Sequence, residues 1–366
     1  MKRCVFSLVF GLCIKLGFGW GFWAHERINR MAVFSLPAEM LVLYKPHLPY
    51  LTRHATDPDK RRYVLEGEAA RHYWDSEKYP DWPKGDTLPN WDAAKSRWGE
   101  AYLLEHGMLP FHLERAYWQL KSAFEAGNKP QILKASADLG HYLGDAHVPL
   151  HTTENYNGQL TGQKGIHGFW ESRLPELFAL EYDYWVGRAA YVPSIRRAAW
   201  GIVRDSHAEV ERVLALEKQL QGQFPPDRRY AYETRNGQVV RCYSRSYSEA
   251  YHRALEGMVE ARLRISIRTV ASWWYTAWKD AGSPDLRRLN LMILPDSTTM
   301  DSAHVEFIDR ESTEIGAFLP TSGHICCGPV PVKAFGLHRP IQPILPKQKA
   351  IEPKWWERWL SWILIA

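Results

Sequence analysis

The sequence predicts a mainly α protein: a single multi-helix domain with a small β-hairpin insertion and an irregular, Pro-rich C-terminal tail. Long stretches place apolar residues at helical spacing, which predicts amphipathic helices. Asn236-Gly237 stands between β-prone residues and predicts a hairpin. Beyond Pro284 the composition shifts away from that of a packed core. A chain of 366 residues is long enough for one such domain and a tail.

The first 19 residues have the layout of a secretory signal peptide. Lys2 and Arg3 precede an apolar run that ends in small residues at Gly17 and Gly19. The run is too short to span a bilayer. We therefore expect an exported protein, periplasmic or secreted, whose mature chain begins at Trp20.

The remaining elements follow in order along 20–284, the predicted domain. Apolar periodicity predicts a first helix within 25–45, two helices within 100–145, a long helix at 194–221 and a last one at 246–279. Pro, Gly and Trp residues between 76 and 99 predict an irregular loop. Asn236-Gly237 predicts a hairpin within 230–243.

The predicted tail, 285–366, has two parts. Residues 329–353 contain six Pro and few apolar runs, which is typical of a linker. Read as a helix, 355–366 places Trp355, Trp359 and Trp362 on one face but rises only about 18 Å, too little to cross a bilayer. This Trp-rich segment is either an interfacial membrane anchor or a segment that docks onto the domain.

Charge and cysteine content narrow the functional classes. The formal net charge of +5 falls to +2 when the three basic residues of the signal peptide are removed. Such a charge is not the electrostatic footprint of a nucleic-acid-binding protein. Cys242, Cys326 and Cys327 remain after the signal peptide, and this odd number implies no disulfide framework.

The stretch from 141 to 171 carries the chemistry. His141 and Asp145 are four residues apart, so on a helix they share a face and can bind one ion. A proline then ends the helix and leaves His151 in a turn. His167 and Glu171 form a second pair with the same spacing. Imidazole and carboxylate ligands suit zinc.

His147 lies six residues after His141, on a different helical face, and is therefore not expected to bind the metal. The alternative for the whole stretch is a pair of helices whose histidines cap helix ends or bond to the backbone. Two spaced pairs with an intervening histidine favour the metal site, although motif matches need structural context.

The sequence HYLGDAHVPLH, followed by HGFWE, resembles zinc-dependent phospholipase C. It equally resembles the single-strand-specific zinc nucleases of the S-one and P-one type. The resemblance covers about 20–280, and its specific motifs lie within 20–171. It implies a helical phosphodiesterase fold with three zinc ions.

The resemblance also implies a set of ligands. Trp20 and His25 match the nuclease spacing, in which the first residue of the mature chain binds zinc. Asp57 and His72 match the pair that completes the neighbouring site, with Asp59 as the competing choice for the aspartate. The implied zinc ligands are Asp57, His72, His141 and Asp145 for one ion, Trp20, His25 and the bridging Asp145 for a second, and His151, His167 and Glu171 for a third.

The implied reaction is attack on phosphorus by a water that Asp57 orients or deprotonates. The Trp20–His25 spacing is nuclease-like, whereas Glu171 and the short His151–His167 gap are phospholipase-like. We expect a phospholipase C-like enzyme acting on phospholipid. A single-strand nuclease or nucleotidase acting on nucleic acid is the close alternative. A non-catalytic zinc-binding surface protein is the alternative of another class.

Overall fold

The computed structural model describes residues 21–79, 88–235 and 237–290. Across these ranges the chain is mainly helical, with one two-stranded sheet, which confirms the predicted fold class. The signal peptide, Trp20 and the segment 291–366 lie outside the described residues.

The α-helices follow one another through the domain. In chain order they are α1 Phe22–Val33, α2 Ala38–Tyr44, α3 Leu48–Arg53, α4 Asp57–Arg61, α5 Trp91–Trp98, α6 Glu100–His106, α7 Leu109–Glu125, α8 Lys129–Ala146, α9 Ile166–Gly168, α10 Leu174–Phe178, α11 Ile195–His207, α12 Val210–Gln223, α13 Arg245–Ala254, α14 Met258–Asp280 and α15 Leu286–Asn290. Short 3₁₀ segments connect several of them, including Ala69–His72 and Pro149–Thr152.

Four helices, α1, α7, α8 and α14, pack around a common apolar centre. Trp273 and Trp274 of α14 are almost fully buried in it. The indole Nε1 of Trp274 donates to the backbone oxygen of Ser136 on α8 at 3.0 Å. Burial of such large side chains supplies about 1.5–3 kcal/mol each, and the hydrogen bond satisfies the buried polar atom.

Helix α1 lies close against α8 because α8 offers glycine where the two helices meet. A Cβ atom on Gly140 would lie 1.9 Å from Oδ1 of Asn29. A Cβ atom on Gly144 would lie 3.1 Å from the His25 ring. The Asn29 amide donates to Leu51 at 3.3 Å and to Ala137 at 3.0 Å, so it is held in the contact. This close approach brings His25 to the helix that carries His141 and Asp145.

Several predicted helices are divided in two. The first breaks before Pro37, which is the cap residue of α2 and cannot continue α1. The helix predicted at 194–221 is α11 followed by α12. The last one breaks at Gly257, whose positive φ of 78° favours glycine. The periodicity located these segments, but not the breaks between them.

The hairpin is present as predicted. Strand β1, Tyr230–Arg235, pairs antiparallel with β2, Gln238–Tyr243. The irregular loop predicted for 76–99 is partly wrong, because 91–98 form α5. The side chain of Asn90 accepts a hydrogen bond from the amide of Ala93 at 2.8 Å and caps this helix. Residues 80–87 lie outside the described ranges.

The segment predicted as tail begins with α15, which packs against α2. Within 21–79, 88–235 and 237–290 no helix is both long and apolar enough to cross a membrane. The Pro-rich 329–353 and the Trp-rich 355–366 lie outside these ranges, so the anchor and docking interpretations stay predictions.

Candidate metal centre

Imidazole and carboxylate groups gather where several elements meet: the start of α1, α4, the end of α8, the turn around α9, and the 3₁₀ turns Ala69–His72 and Pro149–Thr152. They form three buried groups, and in each group the potential ligand atoms lie within 4.8 Å of one another. The groups are His25, His141 and Asp145; Asp59, His72 and His141; and His151, His167 and Glu171. His141 is common to the first two.

Backbone hydrogen bonds set the direction of three histidine rings. The Nδ1 atoms of His141, His151 and His167 lie 2.8, 2.6 and 3.0 Å from backbone carbonyl oxygens of Ala55, His72 and Tyr156, respectively. A carbonyl oxygen only accepts, so each Nδ1 carries the proton. Each Nε2 therefore presents a lone pair to the cluster, which is the arrangement of metal-binding histidines.

In the group of His151, His167 and Glu171, the ring nitrogens Nε2 and the carboxylate oxygens point toward one another. Nε2 of His167 lies 3.0 Å from Oε1 of Glu171, and Nε2 of His151 lies 3.4 Å from Oε2. None of these four atoms has a hydrogen-bond partner in the described part of the chain, in spite of the short distances. Buried polar atoms that approach without hydrogen-bond alignment suit an ion between them.

Asp145 lies between the groups. Its Oδ2 is 2.8 Å from Nδ1 of His72 and 3.2 Å from Nε2 of His141. Its Oδ1 is 3.3 Å from Nε2 of His25 and 3.7 Å from Nε2 of His151. The two oxygens thus face different histidines, as a bridging carboxylate would.

The carboxylates and the histidines of the cluster stabilise one another's charged forms. Burial would raise the pKa of Asp145, but His141 and His151 hold that pKa well below its usual value. Burial lowers the pKa of His151, but Asp145 and Glu171 outweigh it and raise the pKa to about 9. A cation bound by Nε2 of His151 would take the place of the proton that these carboxylates favour there. The carboxylates are therefore ionised and ready to bind a cation.

The structure places Asp57 apart from the three buried groups. Its carboxylate contacts Nδ1 of His54 at 2.5 Å and Nζ of Lys60 at 2.8 Å, away from the cluster. Asp59 instead turns inward, with Oδ1 3.9 Å from both Nδ1 of His72 and Nε2 of His141. Both aspartates lie on α4, where two positions differ by about 200° around the axis, so only one of them can face the cluster.

Most of the other residues predicted as ligands lie together in the cluster. The structure brings together His25, His72, His141, Asp145, His151, His167 and Glu171. His147 lies elsewhere, as expected, with Nε2 3.1 Å from the hydroxyl of Thr269. Trp20 lies outside the described residues, and its role stays a prediction.

The sequence interpretation named Asp59 only as the competing choice. A further feature of the site that it did not identify is a π-helical turn at Phe169–Arg173, which carries Glu171. Such turns widen a helix locally and are frequent at functional sites. The HGFWE motif contains no signal from which the turn could be predicted.

The potential ligand atoms are of the chemical types that zinc binds. All potential ligand atoms in the three groups are imidazole nitrogens or carboxylate oxygens, and all their residues are buried. Nitrogen and oxygen donors at this density fit zinc.

Comparisons with known proteins give structural matches but no sequence matches. Neither a protein-family model nor a curated protein matches the chain. Similar solved structures include the alpha toxin of Clostridium absonum, with 13% identity, a TM-score of 0.44 and coverage of 72% of this chain and 65% of the toxin. The alpha-toxin of Clostridium perfringens avian strain SWCP is also similar, with 13% identity, a TM-score of 0.43 and coverage of 74% of this chain and 66% of the toxin. The chain therefore spans just under two-thirds of either toxin's length.

Proposed function

We propose that the protein is an exported zinc-dependent phosphodiesterase with a three-zinc site. One observation carries the proposal: Asp145 presents its two oxygens to different histidines, joining adjacent groups of buried ligands. Closely spaced zinc ions suit the displacement of an oxygen at phosphorus.

The proposed ligands are those the structure brings together, with Asp59 in the place that the sequence assigned to Asp57. His25, His72, His141, Asp59 and Asp145 would hold a pair of ions, with Trp20 as an additional ligand predicted from the sequence. His151, His167 and Glu171 would hold the third. Bound zinc lowers the pKa of water and draws charge from a phosphoryl oxygen.

Asp59 is proposed to accept the proton of the attacking water. Its Oδ1 lies 3.1 Å from the guanidinium of Arg62, which fixes the carboxylate. Its Oδ2 is buried and has no hydrogen-bond partner in the described ranges, so it is open to a water. Burial raises the pKa of Asp59, but Arg62 and the facing histidines lower it below its usual value. The carboxylate is thus ionised, as an acceptor must be.

We propose a phospholipase C-like substrate, the phosphodiester of a phospholipid headgroup. Glu171 and the short His151–His167 spacing favour it, and so does a net charge of +2 after the signal peptide, which is low for a nucleic-acid enzyme. A single-strand nuclease would use the same ligands, so the substrate has to be determined by assay.

The test combines metal analysis with a substrate panel. Purified exported protein should contain close to three zinc per chain and cleave bis-p-nitrophenyl phosphate, and chelator should abolish both. Among phosphatidylcholine, single-stranded DNA and RNA, we expect turnover of phosphatidylcholine. Turnover of DNA or RNA alone would identify a nuclease, whereas zinc without any turnover would favour a non-catalytic binding protein.

Two variants provide a matched comparison. Asp145→Ala should lose more zinc than any other single ligand change, because it removes both oxygens that face the histidines. His147→Ala removes a buried histidine two residues away but should leave zinc content unchanged. Fewer than one zinc per folded chain in the unaltered protein would contradict the proposal.

A further inference from the structure

His72 is oriented differently from His141, His151 and His167, whose rings are held by backbone carbonyls. It faces the cluster with Nδ1, which lies 2.8 Å from Oδ2 of Asp145 and 3.1 Å from Nε2 of His141. Its Nε2 therefore points away from the cluster. That atom is buried and has no hydrogen-bond partner in the part of the chain that the structure describes.

The group behind Nε2 of His72 is the carboxylate of Glu68. The two residues are four apart, at either end of the turn Ala69–His72, and Oε1 of Glu68 lies 3.8 Å from Nε2. This is longer than a hydrogen bond, but no other carboxylate in the described ranges is recorded within 4.0 Å of that nitrogen. Glu68 is fully buried.

A network of buried side chains fixes the Glu68 carboxylate in this position. Oε2 accepts from the guanidinium of Arg71 at 2.7 Å, and Oε1 accepts from the hydroxyl of Tyr142. The guanidinium of Arg61 lies 3.5 Å from Oε1 and also donates to Tyr142 at 3.2 Å. Two guanidinium groups beside one buried carboxylate keep it ionised.

We propose that Glu68 is a positioning residue for the zinc site. In the structure Nδ1 of His72 donates to the ionised Asp145 carboxylate. An ion bound between these two atoms would displace that proton, and the Glu68 carboxylate would then hold the ring with its proton on Nε2 and the lone pair of Nδ1 toward the metal. Glu68 would thus do for His72 what backbone carbonyls do for His141, His151 and His167. A carboxylate also makes the ligand more basic than a carbonyl does, and outer partners of this kind contribute about 10–100-fold to metal affinity. The inference rests on the proposed zinc site.

The test is the zinc affinity of the folded protein, measured by competition with a chelator. Glu68→Gln keeps the shape of the side chain and removes its charge, so we expect affinity to fall by about 10-fold or more. In the cadmium-substituted protein, ¹H–¹⁵N spectra should show His72 bound through Nδ1 and protonated at Nε2. In Glu68→Gln that signature should weaken or be lost.

Tyr142→Phe separates positioning from mere packing. It removes a hydroxyl that contacts both Glu68 and Arg61 but leaves the Glu68 carboxylate behind His72. We expect it to lower the stability of the zinc-free protein while zinc affinity falls by less than in Glu68→Gln, because the carboxylate and both arginines beside it remain. If both variants lose affinity in proportion to their loss of stability, Glu68 is only a structural partner of the arginines.

The outcomes also separate this inference from the proposed function. If the unaltered protein binds no zinc, the metal site itself is wrong. If the unaltered protein binds zinc and Glu68→Gln binds it equally well, the site stands and the role of Glu68 is overturned. Binding of His72 through Nε2 in the cadmium spectra would overturn it as well.

Discussion

At the scale of the residue, this site is defined by where each ring nitrogen points. Hydrogen bonds from Nδ1 to backbone carbonyls leave Nε2 of His141, His151 and His167 facing the cluster. The histidines are thus oriented before any ion arrives, so little ordering is needed on binding. The carboxylates that face them, Asp145 and Glu171, are likewise buried.

The first prediction compares the two aspartates of α4. Asp59→Ala should lower zinc content and phosphodiester turnover, because Asp59 faces His72 and His141. Asp57→Ala should leave zinc content unchanged, since it loses only the contacts with His54 and Lys60. The measurements are elemental analysis and hydrolysis of bis-p-nitrophenyl phosphate. The reverse pattern would restore Asp57 as the ligand and refute the placement seen in the structure.

At the scale of the element, the position of α1 against α8 determines whether His25 can reach the cluster. The second prediction concerns Gly140, where a methyl group would collide with Asn29, which its own hydrogen bonds hold in place. Gly140→Ala should lower the free energy of unfolding by about 1–3 kcal/mol. Gly201 of α11 is the control, because a Cβ there meets nothing within 4 Å.

Gly201→Ala should raise the free energy of unfolding by about 0.5–1 kcal/mol, since alanine is the better helix former. Both variants are measured by denaturant unfolding of zinc-free protein. If Gly140→Ala is as stable as Gly201→Ala, the close packing of α1 on α8 is wrong. Loss of zinc in Gly140→Ala beyond its loss of stability would show that the helix contact also sets the position of His25.

Features set within a single helix could be predicted from the sequence, whereas features set by how helices pack could not. The pairs His141–Asp145 and His167–Glu171 could be predicted because four-residue spacing is a local property of a helix. The choice between Asp57 and Asp59 could not, because it depends on how α4 rotates against α8. The sequence analysis located the other helical segments but missed the helix Trp91–Trp98, although its Asn90 cap is a local signal. It also missed the π-helical turn that carries Glu171.

At the scale of the whole molecule, the proposed ligands come from segments that are distant in sequence and adjacent only in the folded chain. His25 lies on α1, Asp145 ends α8 and Glu171 follows α9. The complete site therefore exists only in the folded protein, and binding free energy adds to folding free energy. A chelator should accordingly lower the stability of the entire domain rather than unfold one segment.

The last prediction counts the ions through this linkage. An ion that binds only the folded chain adds about 1.4 kcal/mol to the free energy of unfolding for each tenfold rise in free zinc above its dissociation constant. Three ions should give about three times that slope when all sites are filled. The experiment is denaturant unfolding at a series of buffered zinc concentrations, with magnesium as the control, because the nitrogen-rich donor set disfavours it. A slope for a single ion would contradict the three-zinc site, and no slope would contradict zinc binding altogether.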